Sequence, residues 1–217
     1  MKSPELHILE RIEALRAELA RPVVVALDGG SGSGKSTIAA RLAKLTDIAL
    51  VTLDDFYQTQ VPESEWPHKT VAERLNRVFE WDRVREAIEP LRKGEPAQWR
   101  AFDFMQGLGP DGTYSLKNEF TEVAPAPTIL LEGAYSASPF LRDLIDLAVI
   151  VDVPTKVRHE RTAAREQGAE GFLAAWHAVW DDVESYGSVA KIVKLEHAWR
   201  RLDGRNDDGF QVAPFPG

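Results

Sequence analysis

The sequence contains no cysteine. That excludes disulfides, thiolate zinc centres and cysteine nucleophiles, and it makes a cytoplasmic setting the default expectation. Positive charge is scarce, with 26 Lys and Arg against 34 Asp and Glu, a net charge of −8. A nucleic-acid binder would present a basic face, so no nucleic-acid partner is expected, and an anionic ligand has to be held by a local site. Long hydrophobic runs are also missing. Residues 1–20 alternate charged with apolar side chains and hold no apolar stretch of signal-peptide length. No segment reaches the roughly 20 apolar residues of a membrane span, so no membrane partner is expected. What remains, 44% hydrophobic and 28% charged residues over 217 positions, is a globular composition. It reads as a single domain over residues 1–217.

One stretch organises the chain. Gly29, Gly34, Lys35 and Ser36 in Asp28-Gly29-Gly30-Ser31-Gly32-Ser33-Gly34-Lys35-Ser36-Thr37 fit the G-x-x-x-x-G-K-[ST] pattern of a P-loop. The β-branched run Val23–Leu27 precedes it, and Ile38, Ala39, Leu42, Ala43 and Leu45 follow at helical spacing. The glycines let successive backbone N–H groups turn toward one anion. The helix start adds unpaired donors and the positive end of its dipole. Lys35 supplies a point charge for the β- and γ-phosphates, and the Ser36 hydroxyl suits a Mg²⁺ ion bridging them. Residues 29–37 are therefore the expected nucleotide-binding segment, with Thr37 in the smaller role.

The remaining chain alternates strand and helix signals. Residues 4–20 read as an amphipathic helix capped by Ser3, with Leu6, Leu9, Ile12 and Leu15, and also Ile8 and Leu19, forming its apolar stripe. A second buried strand, Ile48–Leu53, ends in Asp54-Asp55-Phe56-Tyr57. Ligands of open α/β sheets bind at the carboxyl ends of strands, so one of the two aspartates is expected to face the phosphates as a base or through a metal-bound water. Residues 58–69 read as a loop, in which Trp66 and His68 are either acceptor-lining or plain surface residues. Short helices are expected over 70–79 and 81–93, then a strand over 97–104, and residues 114–123 read as part of a hairpin. Another buried strand, Thr128–Gly133, ends in Glu132, which either suits a metal or is a plain strand-end turn.

A strand over 147–153 leads into a helix carrying Arg158, Arg161 and Arg165 on one face. Three cations beyond a strand end suit a lid over phosphates, and a solvated face paired with Glu160 and Glu166 is the plain alternative. A second helix over 172–186 carries Trp176 and Trp180 at i, i+4. The lid is expected over about residues 155–186. Further on, residues 188–202 read as helix and 210–212 as a short strand.

Taken together these segments resemble the uridine kinase-like branch of P-loop kinases, which includes phosphoribulokinase and bacterial pantothenate kinase. The phosphate loop, Asp54-Asp55-Phe56-Tyr57, Phe102-Asp103-Phe104, Leu131-Glu132-Gly133 and Arg158–Glu166 occur in the family's order over most of residues 22–167. The resemblance implies Asp54 as catalytic base, Tyr57 as an acceptor contact, Glu132 near the metal, and Arg161 and Arg165 as lid arginines. It adds Phe102 and Phe104 to the acceptor site. Two departures fall on the nucleoside pocket. Residues 74–79 lack the family's Asp-His-Pro acid, and Gln106-Gly107 stands where uridine kinases carry a histidine.

The expectation is thus an α/β P-loop fold, a doubly wound parallel sheet of about five strands with a helical lid. Its activity would be transfer of the γ-phosphoryl of ATP, with Mg²⁺, to a hydroxyl of a nucleoside-like or other small metabolite. Lys35, Asp54, Arg161 and Arg165 would be catalytic. The rival is a regulatory nucleotide-binding P-loop ATPase without kinase activity, although no Asn-Lys-x-Asp guanine-reading stretch is present. A homo-oligomer is left open.

Overall fold

Alternation decides the layering. In the first strand, β1 (Val23–Asp28), every residue is buried. Val23, Val25 and Leu27 pack on one side with Ile8, Ile12, Ala39 and Leu42, while Val24 packs on the other with Val84, Ile88 and Leu91. A strand buried on both faces needs helices on both, which is the doubly wound arrangement. The computed structural model describes residues 3–166, 171, 173–181, 183 and 199–203.

The first helix, α1 (Pro4–Glu18), and α2 (Lys35–Leu42) cover one face; α4 (Trp81–Arg92) covers the other. The strands β2 (Ile48–Thr52), β5 (Thr128–Glu132), β6 (Leu147–Asp152) and β7 (Trp199–Asp203) complete a parallel sheet of order β2-β5-β1-β6-β7. The long-range pairing places β5 between β1 and β2. Glu132 therefore stands in register with Leu27 on one side and Thr52 on the other. The phosphate loop, Glu132 and the Asp54-Asp55 turn thus leave the sheet at one edge, the carboxyl ends of three adjacent strands.

Outside the sheet, α3 (Val71–Arg77) opens with a capping box between Thr70 and Glu73. The antiparallel pair β3 (Ala97–Phe102) and β4 (Leu116–Val123) forms a separate hairpin. It is fastened to the Leu53–Phe56 3-10 turn, where Trp99 Nε1 donates to Asp55 Oδ2 at 2.8 Å. Helix α5 (Thr155–Arg165) follows β6, and residues 171, 173–181 and 183 are helical.

Several expectations change. Ser3 stands at the N-cap of α1, but its side chain makes no capping hydrogen bond, and Glu63–His68 of the expected loop form a 3-10 helix. In α1 the inward face runs through Glu5, Ile8 and Ile12, and Leu6 is exposed. The polar residue is held there because Glu5 accepts a hydrogen bond from Arg41 of α2 at 3.0 Å. Residues 199–202, read as helix from their local pattern, instead form most of β7, because β6 offers an unfilled hydrogen-bonding edge from Ala148 to Asp152. The rest of that expected helix and the 210–212 strand lie outside the described residues. Among the described residues no helix is long and apolar enough to cross a membrane.

Candidate active site

The phosphate loop runs from the end of β1 to the start of α2. Gly34, in the left-handed region at φ 99°, is the N-cap, and Lys35 is the first helical residue. Ser33 N donates back to Gly30 O at 3.1 Å and Ile38 N to Gly34 O at 3.2 Å, so the loop closes on itself. Lys35 is 7% exposed, with its Nζ 3.2 Å from Gly30 O. Its ammonium is thus drawn back over the loop. Ser36 and Thr37 are exposed on the first turn, whereas Gly29 and Ser33 are buried and Gly30 and Ser31 half-buried. The Ser33 hydroxyl is buried without a hydrogen-bond partner; an orphaned donor inside an amide cradle fits an anion supplied from outside.

Asp28, at the head of the motif, has a task that its local pattern does not reveal. It is 1% exposed, and its carboxylate accepts from three backbone amides: Gly29 N at 2.6 Å, Tyr135 N at 2.9 Å and Ala137 N at 2.9 Å. It ties the first loop glycine to the segment after β5. Tyr135 itself is held at φ 72°, a conformation that a bulky residue adopts only when its surroundings impose it. Asp28→Ala should strand three buried N–H groups and lower unfolding stability by about 3 kcal/mol or more at roughly 1–3 kcal/mol per orphaned group, read as the midpoint of a urea titration.

Helix α5 lies against the loop. Gly32 has φ 77°, and a Cβ there would stand 2.5 Å from Arg158 O and 3.1 Å from Thr162 Cγ2. Gly32→Ala should therefore lose about 1–3 kcal/mol from backbone strain alone and push α5 off the loop. Thermal melting together with nucleotide titration checks both effects. The three arginines of the expected face do different things. Arg158 is buried, with Nη1 donating to Ser31 O at 3.2 Å and Nη2 to Thr155 Oγ1 at 3.3 Å. Arg161 is exposed and reaches the carbonyls of Gly32 and Ser33, both at 3.4 Å. Arg165 is exposed and pairs with Glu166 at 2.9 Å, which leaves its charge free to act toward Asp54 only through space.

Two carboxylates meet the loop. Ser36 Oγ donates to Glu132 Oε1 at 3.3 Å, a pair of hard oxygen donors of the kind Mg²⁺ takes. Asp54 is half-buried. Removal from water pushes its carboxyl up to about 6; the Lys35 charge pulls it down, Glu132 and Asp55 push it up, and Arg165 pulls it down. Asp55, one residue on, is turned to Trp99 instead. Burial raises its pKa as well, against that hydrogen bond. The 3-10 turn thus separates the two aspartates that adjacency in sequence left equivalent.

A cavity of about 280 Å³ opens beside Tyr57, the last residue of the Asp54-Asp55-Phe56-Tyr57 stretch. Tyr57, Phe102 and Phe104 converge on it: the Tyr57 ring is 5.7 Å from Phe102 and 5.8 Å from Phe104, both edge-on, and stacks on Phe79 at 4.6 Å. Trp66, Trp176 and Trp180 also line it, with Trp66 and Trp180 rings 5.3 Å apart. His68 does not line it and is exposed. Sequence reasoning missed Glu63 and Tyr114, hydrogen-bonded to each other at the same wall. Burial raises the pKa of both. Their signal, a lone acid and a lone tyrosine in separate loops, is too weak to read without the fold.

The family model described as "Phosphoribulokinase / Uridine kinase family" matches residues 24–186. Uridine kinase of Deinococcus deserti is 28% identical over 161 residues, spanning 70% of this chain and 72% of that protein. Uridine kinase of Borrelia garinii subsp. bavariensis is 25% identical over 150 residues, 68% of this chain and 69% of its own. Among solved structures, D-glycerate 3-kinase from Cryptococcus neoformans var. grubii superposes with a TM-score of 0.68 at 14% identity, covering 98% of this chain and 100% of that one. That likeness is one of fold.

Proposed function

Since this chain belongs to the phosphoribulokinase / uridine kinase family of P-loop small-molecule kinases, we propose that residues 29–37 hold the phosphates of ATP and that Asp54 activates the hydroxyl of an acceptor seated in the aromatic cavity. The observation that carries this reading is convergence. The phosphate loop, Glu132 and Asp54 leave three adjacent strands at the same edge, and the cavity begins at Tyr57, three residues beyond Asp54.

In this reading the loop amides and Lys35 grip the polyphosphate. Ser36 and Glu132 would hold Mg²⁺, which would supply charge neutralisation at the phosphates. The acceptor oxygen bonds to the γ-phosphorus as the bond to the β-phosphate oxygen breaks. The acceptor proton passes to Asp54, whose pKa near 6 suits a base that must be ionised at neutral pH and still accept a proton. Arg161 and Arg165 cover the transferring group as part of a lid over about residues 155–186. The whole chain then works as one kinase domain in a cytoplasmic setting. Most of the acceleration comes from positioning and preorganised charge.

The cavity favours an acceptor with an apolar or aromatic body and few polar groups, since six aromatic rings besides Tyr114 meet only Gln58 and Glu63 as polar neighbours. One scaffold accommodates many acceptors, so the test is a panel. ADP release is measured with ATP and Mg²⁺ against nucleosides, pantothenate, sugars and glycerate, with an acceptor-free control. Acceptor-dependent release that disappears in Phe102→Ala through a raised KM supports the reading. Hydrolysis independent of every acceptor favours the regulatory alternative.

A further inference from the structure

Away from the phosphate-transfer site, the described residues hold one tight group of metal-ligating side chains: His159 on α5, with His177 and Asp181 one turn apart on the 173–181 helix. Their donor atoms all lie within 4.8 Å of one another. His159 Nε2 stands 2.9 Å from Asp181 Oδ2, and His177 Nδ1 stands 3.2 Å from Asp181 Oδ1. The imidazole rings lie against each other with centroids 3.7 Å apart, and Trp176 backs His177 edge-on at 5.3 Å. All three ligating residues are half-buried. The proposed phosphoryl transfer gives them no role.

We propose that this group binds a divalent transition metal, Zn²⁺ being the fitting ion, and that the ion clamps the 173–181 helix to α5. Two imidazole nitrogens with one carboxylate are donors for Zn²⁺ and its neighbours and poor ones for Mg²⁺. The oxygen-only pair Ser36 and Glu132 has the opposite preference, so the two sites sort their ions by chemistry. Donors held about 2.0–2.2 Å from a tetrahedral ion stand roughly 3.3–3.6 Å apart. The two histidine–aspartate spacings, 2.9 and 3.2 Å, lie close to that range, and the partial exposure of the group leaves the fourth position to water.

Two nitrogens already point at one carboxylate. Hydrogen bonding alone would hold that arrangement through protons, and a metal would take the protons' place. The clamp has a consequence for the fold. The 173–181 helix carries Trp176 and Trp180 of the cavity wall, and α5 carries Arg158 and Arg161 on the phosphate loop. An ion between the helices fixes one to the other.

The experiment uses the full chain, stripped with EDTA, exchanged into buffer and kept in excess Mg²⁺. Zn²⁺ is titrated by calorimetry and Co²⁺ by visible absorption. One Zn²⁺ per chain is expected, with the intense absorption of four-coordinate Co²⁺ and a raised thermal midpoint. His177→Ala should weaken Zn²⁺ by more than the roughly 10–100-fold that follows loss of an outer-shell partner. Asp181→Asn keeps the side-chain shape and should do the same, so it decides the matter if His177→Ala fails to fold. His68→Ala, at an exposed histidine outside the group, should change nothing. Absence of a Zn²⁺ site in the parent protein, or Zn²⁺ binding that Asp181→Asn leaves intact, overturns the proposal. None of these readouts depends on kinase turnover.

Discussion

Lys35→Met should leave a folded protein whose ATP turnover is reduced by at least about 100–1,000-fold, the loss seen when one preorganised donor is removed from a developing charge. Methionine keeps much of the side-chain volume and removes only the ammonium. The parent Lys35 is buried, with its ammonium 3.2 Å from Gly30 O. Arg158 donates to the Ser31 carbonyl, and Arg161 to the carbonyls of Gly32 and Ser33. A second effect is coupled to the first. Lys35 is the strongest influence holding the Asp54 carboxyl down, so its removal should move the acid limb of the residual pH–rate profile upward. Steady-state ADP release at several pH values measures both, with thermal melting as the control for folding. Turnover within tenfold of the parent would defeat the phosphate-binding reading.

Asp54→Asn is expected to change activity and stability in opposite directions. Activity should fall about 100–10,000-fold, the usual contribution of a positioned base. In the parent, kcat/KM should drop tenfold per pH unit below about 6, where the carboxylate takes up a proton. Stability follows from the same shift. The folded-state pKa lies above the ordinary 3.8, so the folded protein holds this proton more tightly than the unfolded chain. The stabilisation tied to it is complete below about pH 4 and is lost as pH rises through about 6.

At pH 7 the nucleotide-free protein therefore carries an ionised, poorly hydrated Asp54 at a disadvantage on the order of 1–3 kcal/mol, taking about 1.4 kcal/mol per pKa unit. Asparagine removes that disadvantage. The thermal midpoint at pH 7 should rise by about 2–4 °C per kcal/mol, and the gain should vanish near pH 4. A variant that keeps its activity, or that melts lower at pH 7 than at pH 4 relative to the parent, would count against both the base assignment and the buried-carboxylate account.

Much of the architecture is legible in the sequence because it is local. The phosphate loop needs only its own glycines, the strand before it and the helix after it, and all three stand where the pattern puts them. The α4 stripe of Val84, Ile88 and Leu91 is buried as its spacing implies. The β3–β4 hairpin and the strands ending at Glu132 and Asp152 also appear. Local patterns failed where a distant partner outweighed them. Leu6 yields the inward face of α1 to Glu5 because Arg41 waits on α2. Residues 199–202 become strand because β6 has an open edge.

The sequence by itself determined that this chain grips a polyphosphate and that acids follow its strands, because backbone conformation and strand or helix period are properties of neighbours in the chain. The tertiary structure decided how those acids are arranged about the loop. Strand order β2-β5-β1 brings Glu132 to Ser36 and Asp54 toward Lys35, while the 3-10 turn sends Asp55 to Trp99. It also decided that Asp28 anchors the loop to residues 135 and 137 and that aromatics from five separate segments enclose one cavity. Those relations join residues far apart in the chain, such as Asp28 and Ala137, and they arise when burial of both sheet faces fixes which strands lie side by side.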